Sequence, residues 1–223
     1  MIAIIDYKMG NVRSVAKALE SIGAKVEVTA NKNKLAKANA LVLPGVGAYS
    51  AGMRNLRKLR LIPEIEKAVI EGKPFLGICL GLQLLFSESE EHGRHKGLDL
   101  IPGKVLKFKS KLKIPHMGWN TITQVKSKKL YPDGHKKVKS EKQKAGQNIL
   151  AGIPDESYFY FVHSYYVRPI SRKFVMANCE YGQKFACVVG KENVFGIQFH
   201  PEKSSDLGLK ILKNFCSIAG ELR

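Results

Sequence analysis

Gly77-Ile78-Cys79-Leu80-Gly81 places a thiol between two glycines, where the apolar run Pro74 to Ile78 changes into a helix-like pattern. A strand that turns at once into a helix strains the backbone at the bend, and flanking glycines let neighbouring elements approach it closely. A cysteine opening a helix also meets unpaired N–H groups and the positive end of the helix dipole, which favour the thiolate. The pentapeptide alone fits a buried structural cysteine as well as it fits a nucleophile.

A second group adds weight to the nucleophile. In FGIQFHPEK, His200 and Glu202 follow an apolar run. On an extended segment positions i and i+2 point the same way, so the carboxylate would stand behind the imidazole and fix its tautomer. A cysteine, a histidine base and an orienting acid together perform nucleophilic acyl transfer. The competing reading of His200 is a loop histidine before a proline. Cys179, Cys187 and Cys216 have no glycine-flanked bend and read as core residues. Pro44-Gly45-Val46-Gly47 ends another apolar run. Its N–H groups could stabilise an oxyanion, although such a turn on its own more often only reverses the chain.

Positioning these groups requires strand ends that meet at one edge. MIAIID (1 to 6) reads as a strand, and Val12, Val15, Ala16, Leu19 and Ile22 recur at helical spacing up to Gly23. KVEVT (25 to 29) and ALVLPGVG (40 to 47) read as strands, Ala51 to Glu71 as amphipathic helix divided near Pro63, and PFLGI as the strand before Cys79. This alternation predicts an α/β fold, an open and mostly parallel sheet flanked by helices on both faces. The second half predicts added strands around Val105 to Lys107, Thr121 to Val125, Tyr158 to Val162, Phe174 to Glu180, Ala186 to Val189 and Val194 to Gln198. A final amphipathic helix fits Asp206 to Ala219. A single domain over 1 to 223 is the economical reading.

Composition excludes other classes. The chain has 223 residues, 44% of them hydrophobic, which suits a folded domain and not a disordered or fibrous one. No stretch approaches the roughly 20 apolar residues of a spanning helix, and the four cysteines lack metal spacing, so the expectation is a cytoplasmic protein with no metal, cofactor or membrane. The net charge of +18 raises the question of nucleic acid. Thirteen lysines between Lys104 and Lys144 face only Asp133 and Glu141, and the core of that segment, 133 to 148, is polar and weakly periodic. It reads as an exposed insertion, with an acidic partner surface or nucleic acid as the lesser alternatives.

With these residues placed, the sequence resembles the class I (triad-type) glutamine amidotransferases, and within them the glutaminase subunits of imidazole glycerol phosphate synthases. IIDYKMGNVRSV, LPGVGAYSAGM, GKPFLGICLGLQLLF, GLDLIPGKV, PHMGWN, YFYFVHSYY and NVFGIQFHPEKS occur in that family's order over nearly the whole chain. The resemblance implies a flavodoxin-like fold with added antiparallel strands. It also implies glutamine as substrate, with Cys79 attacking the carboxamide, His200 moving the proton and Glu202 orienting His200. Oxyanion donors would come from Leu80 and from Gly45, Val46 and Gly47, where a peptide has to turn before Val46 or Gly47 can donate. Gln83 and the backbone of His163, Ser164 and Tyr165 would hold glutamine. The implied partner is a (βα)8-barrel cyclase subunit that takes up the ammonia, with Met117, Trp119, Asn120, Tyr160 and Lys203 at the interface. For Trp119 the alternative is core packing.

Two features depart from the family: Lys8 stands where a glycine is expected, and the lysine-rich insertion is longer than the family needs. They leave room for a paralogous glutaminase that feeds a different acceptor, such as a sugar-amidinating enzyme in surface-glycan assembly. A basic binding protein on an inactive scaffold is the alternative of another class. γ-Glutamyl hydrolysis and cysteine proteolysis also use such a bend, but the HPE spacing and the interface-like motifs count against them.

Overall fold

A computed structural model describes residues 1–109, 111–125 and 148–222. The lysine-rich stretch therefore lies outside the described residues, except for Asn148. The first half alternates β1 (Ile2–Ile5), α1 (Val12–Ser21), β2 (Val26–Thr29), α2 (Lys32–Lys37), β3 (Ala40–Gly45), α3 (Tyr49–Lys58), α4 (Ile62–Ile70), β4 (Phe75–Cys79) and α5 (Leu80–Leu84). The second half runs through β5 (Phe86–Ser89), β6 (His95–Lys96), β7 (Ile101–Lys107), β8 (His116–Gln124), β9 (Ser157–His163) and β10 (Tyr165–Pro169). It continues with β11 (Val175–Glu180), β12 (Lys184–Lys191) and β13 (Val194–Ile197), and ends in α6 (Ser205–Ile218).

Local chemistry accounts for the boundaries. In α1 the helical spacing buries Val15, Ala16 and Leu19, and Gly23 follows at φ 88, a left-handed exit that costs glycine nothing. Asn31 caps α2, its Oδ1 accepting from the N–H groups of Asn33 (3.0 Å) and Lys34 (3.2 Å). Pro63 sits in the first turn of α4, where its missing N–H is no loss. The capped but short and lysine-rich α2 carries one buried apolar residue, Leu35, which is why periodicity does not reveal it.

Strands β2, β1, β3, β4 and β13 are parallel neighbours in that order. Strand β12 then pairs antiparallel with β13, and the sheet continues through β10, β7, β5 and β6, while β11, β8 and β9 branch from β12. The fold is thus the expected α/β sheet with antiparallel additions. Pleating sends Ile2 and Ile4 of β1 to one face, packed with Val15, Leu19, Ile211 and Phe215, and Ala3 and Ile5 to the other, with Met53, Leu56 and Ile65. Each fully buried aliphatic side chain in these layers contributes roughly 1.5–3 kcal/mol. Among the described residues no helix is long and apolar enough to cross a membrane.

Strand β8 starts at His116, five residues earlier than the sequence pattern suggests, and it pairs with β9 from His116↔His163 to Ile122↔Ser157. The pair has two distinct faces. His116, Ile122, Phe159, Phe161 and His163 point into the core, while Met117, Trp119 and Tyr158 are 62, 51 and 61% exposed. Exposed apolar residues on alternate positions, with Gly118 between them, disguise the strand in the sequence.

Candidate active site

The parallel strands β3, β4 and β13 bring three chain segments to one edge. Register pairs Gly45, the last residue of β3, with Cys79, the last of β4, and Ile197 of β13 with Ile78. Cys79 has φ 55 and ψ −106, a strained conformation for any residue with a side chain, and α5 begins at the next position. The two glycines of the bend are required by space. A Cβ on Gly81 would lie 1.7 Å from the Leu43 carbonyl oxygen, and one on Gly77 would lie 2.7 Å from the Gly81 backbone. Helix α5 is only five residues long, so orphan N–H groups rather than a long dipole are what this bend offers an anion. Cys79 Sγ lies 3.9 Å from the Val162 carbonyl and 3.8 Å from Gln198 Nε2.

The other cysteines fit their reading as core residues. Cys179 on β11, Cys187 on β12 and Cys216 on α6 are all buried and unpaired. Burial pushes Cys179 and Cys216 up to about 12 and Cys187 well above the usual thiol range.

His200 Nδ1 meets Glu202 Oε1 at 2.7 Å, both side chains being essentially solvent-free. The approach differs from the extended segment anticipated above, because Pro201–Lys203 form a 3-10 turn that folds the carboxylate back onto the ring. Asn11, left-handed at φ 75 just before α1, donates its amide to the same carboxylate oxygen. Burial pulls the His200 pKa down, but the Cys79 sulfur and the Glu202 carboxylate outweigh it and raise it to about 10. His200 Nε2 and Glu202 Oε2 have no hydrogen-bond partner among the described residues, which leaves Nε2 to the Cys79 sulfur. Ser204 fastens the histidine to β9, accepting from the Tyr160 N–H (3.0 Å) and donating to the His200 carbonyl (2.6 Å).

A cavity of about 550 Å³ opens over Cys79, lined by Val46, Gly47, Leu80, Gln83, Glu91, Lys107, His163, Ser164 and Tyr165 among others. Most of the predicted oxyanion and substrate residues therefore converge. Gly45 lies beneath them, its Cα packed on the Tyr7 ring so closely that a Cβ would fall 2.0 Å from Tyr7 Oη. Gln83 spends its amide nitrogen on the Tyr165 carbonyl (3.1 Å) and Gln198 Oε1 (3.2 Å), so its own oxygen is what remains for a ligand. Lys8 holds φ 65, the left-handed region that explains the expected glycine, and its ammonium pairs with Asp6 at 2.9 Å. Among the described residues no cluster of three or more His, Cys, Asp or Glu side chains could hold a metal ion.

The predicted interface residues divide between the two faces of β8 and β9. Met117 and Trp119 stand exposed, which excludes core packing for the tryptophan. Lys203 Nζ lies 5.7 Å above the Tyr160 ring, itself edge-on to Trp119 at 6.2 Å. Asn120 instead directs its amide nitrogen to His116 Nε2 (3.1 Å) and the Glu180 carbonyl (2.9 Å).

Sequence reasoning missed Asn11, Gln198, Ser204, Glu91 and Lys107. A polar Gln198 inside an apolar run and a Gly-Asn pair before a helix were signals available in the sequence. Glu91 and Lys107 had none, because they reach the cavity only through β5 and β7.

Residues 3–219 match the glutamine amidotransferase class-I family. The chain is 47% identical over 215 residues to the imidazole glycerol phosphate synthase subunit HisH of Desulfitobacterium hafniense, covering 96% of this chain and 93% of that one. It is 46% identical over 214 residues to the protein of the same name from Moorella thermoacetica, with the same coverage of both. Its fold is similar to a solved structure described as a glutamine amidotransferase, with a TM-score of 0.72 and 18% identity over 98% of each chain.

Proposed function

The chain belongs to the class-I glutamine amidotransferase family, and from that premise we propose that it is the glutaminase subunit of an imidazole glycerol phosphate synthase, serving histidine biosynthesis. The observation that carries the proposal is Cys79, held in a left-handed bend on the floor of a cavity, with His200 and Glu202 joined at 2.7 Å beside it.

In this reading Cys79 Sγ attacks the side-chain carbonyl carbon of glutamine, and His200 Nε2 takes the thiol proton. The oxyanion of the tetrahedral adduct accepts from the Leu80 N–H and from a peptide of the Gly45-Val46-Gly47 segment. Collapse expels ammonia with the proton held by His200, leaving a glutamyl thioester. A water deprotonated by His200 then releases glutamate and restores the thiol. Glu202, oriented by Asn11, keeps Nδ1 as the donor to the carboxylate so that Nε2 faces the sulfur. Glu91 and Lys107 give the cavity one acidic and one basic group, which matches the ammonium and carboxylate of an α-amino acid.

The ammonia passes to a (βα)8-barrel cyclase docked on β8 and β9. Exposed Met117, Trp119 and Tyr158 on that face support a protein partner, because methionine and aromatic residues are enriched at interfaces. Glutamate release by the purified chain, measured alone and with the cyclase and its ribotide ligand, tests the reading. Cyclase-dependent stimulation that vanishes in Cys79→Ala is the expected result. A wild-type chain that releases no glutamate under either condition refutes it.

A further inference from the structure

His116 and His163 meet inside the core, Nδ1 of the first 3.0 Å from Nε2 of the second, and neither belongs to the triad. Hydrogen-bond chemistry fixes the direction of this contact from both ends. Asn120 Oδ1 accepts from the Thr121 N–H (2.8 Å), and Asn120 Nδ2 faces the Glu180 carbonyl, so neither amide atom can be exchanged. The amide nitrogen can only donate, and His116 Nε2 must therefore accept. A neutral imidazole then has its single proton on Nδ1, which donates to His163 Nε2. At the far end His163 Nδ1 meets the Tyr165 carbonyl at 2.8 Å, and a carbonyl can only accept.

The surroundings keep both rings uncharged. His116 is stacked between Phe161 (4.8 Å) and Tyr181 (4.1 Å), and His163 packs on Phe108 and Phe185, both at 5.3 Å. Burial lowers His116 to about 4 and His163 to about 3. The Tyr165 carbonyl at the end of the chain also receives the Gln83 amide, and Gln83, His163 and Tyr165 all line the cavity. At the other end Asn120 lies beside exposed Trp119.

Resting on the reading of this cavity as a glutamine site, we propose that Asn120, His116 and His163 form a one-way hydrogen-bond relay that sets the position of the Tyr165 carbonyl and Gln83, and thereby the affinity for glutamine, from strand β8. His116 and the His163 ring are positioning groups, since they act on the site through the Tyr165 carbonyl, which also receives the Gln83 amide. A purely packing role would be served as well by phenylalanine, which needs no direction.

His116→Phe keeps the stacking and removes the donor to His163. Its KM for glutamine is expected to rise about tenfold with kcat within about twofold, the scale of one lost buried hydrogen bond. His116→Asn returns an N–H near the Nδ1 position and is expected to bring KM back to within about threefold of wild type. Asn120→Ala should raise KM by about threefold, and the His116→Phe/Asn120→Ala double variant should be no worse than His116→Phe alone. Long-range 1H–15N spectra of the wild-type chain at neutral pH, which need no activity, should show both rings protonated on Nδ1 only. Rings protonated on Nε2, an unchanged KM in a folded His116→Phe, or no recovery in a folded His116→Asn would each overturn the relay. An inactive wild-type chain with the expected tautomers would instead overturn the glutaminase reading on which the glutamine-affinity claim rests, and that claim with it.

Discussion

Gly45→Ala is expected to cost about 1–3 kcal/mol of stability, the usual range for an overpacked core, and Tyr7→Phe is expected to remove most of that cost. The new methyl would sit 2.0 Å from Tyr7 Oη, 3.2 Å from Tyr7 Cζ and 3.3 Å from Leu80 Cβ. Tyr7 is fully buried, so the ring has no room to withdraw. Tyr7 Oη also lacks a hydrogen-bond partner among the described residues. Its burial, together with the charge of nearby Cys79, raises its pKa well above the phenol range. An unsatisfied buried hydroxyl costs about 1–3 kcal/mol, so Tyr7→Phe alone should stabilise the protein by about 1 kcal/mol or more. With the oxygen gone the nearest remaining approach to the methyl is 3.2 Å, tight but tolerable. The cost of Gly45→Ala should then fall below about 1 kcal/mol, a coupling of about 1–2 kcal/mol between the two sites. Urea unfolding of the four proteins measures this directly. Each kcal/mol should also move Tm by about 2–4 °C in a chain of this size. Effects that add within about 0.5 kcal/mol would refute the steric account. A Tyr7→Phe variant destabilised by more than about 1 kcal/mol would show that the hydroxyl has a partner.

The buried imidazoles predict acid sensitivity. The unfolded chain protonates His116 near 6.5 while the folded protein resists until about 4, so the unfolded state binds the extra proton and stability falls as pH drops through that window. Between pH 7 and pH 5 each such ring accounts for about 2 kcal/mol, and His116→Phe should lose that much less than wild type in pH-dependent urea unfolding; equal losses would contradict a neutral His116. At Asn11, glycine keeps the left-handed backbone and alanine does not, yet both remove the amide from Glu202. Glutamate release should fall about tenfold or more in each, with Asn11→Ala less stable than Asn11→Gly by about 1 kcal/mol. Full activity in either variant would show that the Asn11 amide does not orient the carboxylate.

The elements that surround the cavity were legible because their residues obey one local rule each. Strands β1, β3 and β4 are unbroken apolar runs bounded by turns, and α1 and α6 keep a helical stripe. Cys79 announced itself through its glycines, and the structure gives the reason: Gly81 touches the Leu43 carbonyl, a contact that no side chain would permit. What stayed hidden depends on partners distant in sequence. Glu91 and Lys107 become cavity residues only when β5 and β7 pair, and Asn120, on the inward side of the β8 pleat, meets the Glu180 carbonyl only because β11 lies beside β8. The meeting of His116 with His163 depends on the register of β8 against β9, which neither strand specifies alone. The 3-10 turn at Pro201 brings Glu202 to the same nitrogen that an extended segment would have reached, so the pairing was predictable while its geometry was not.

The distribution of the four cysteines makes the chain its own folding gauge. Only Cys79 lines the cavity, whereas Cys179, Cys187 and Cys216 are shut inside β11, β12 and α6 with their thiols raised far from reactivity. An alkylating reagent should therefore count one thiol in the native protein and four in the denatured chain. The rates at which the three hidden thiols become labelled report how often each of their elements opens. Peptide-resolved mass spectrometry would read those local opening free energies from an unmodified sequence, and Cys79→Ala would leave a silent background against which the slow openings stand out.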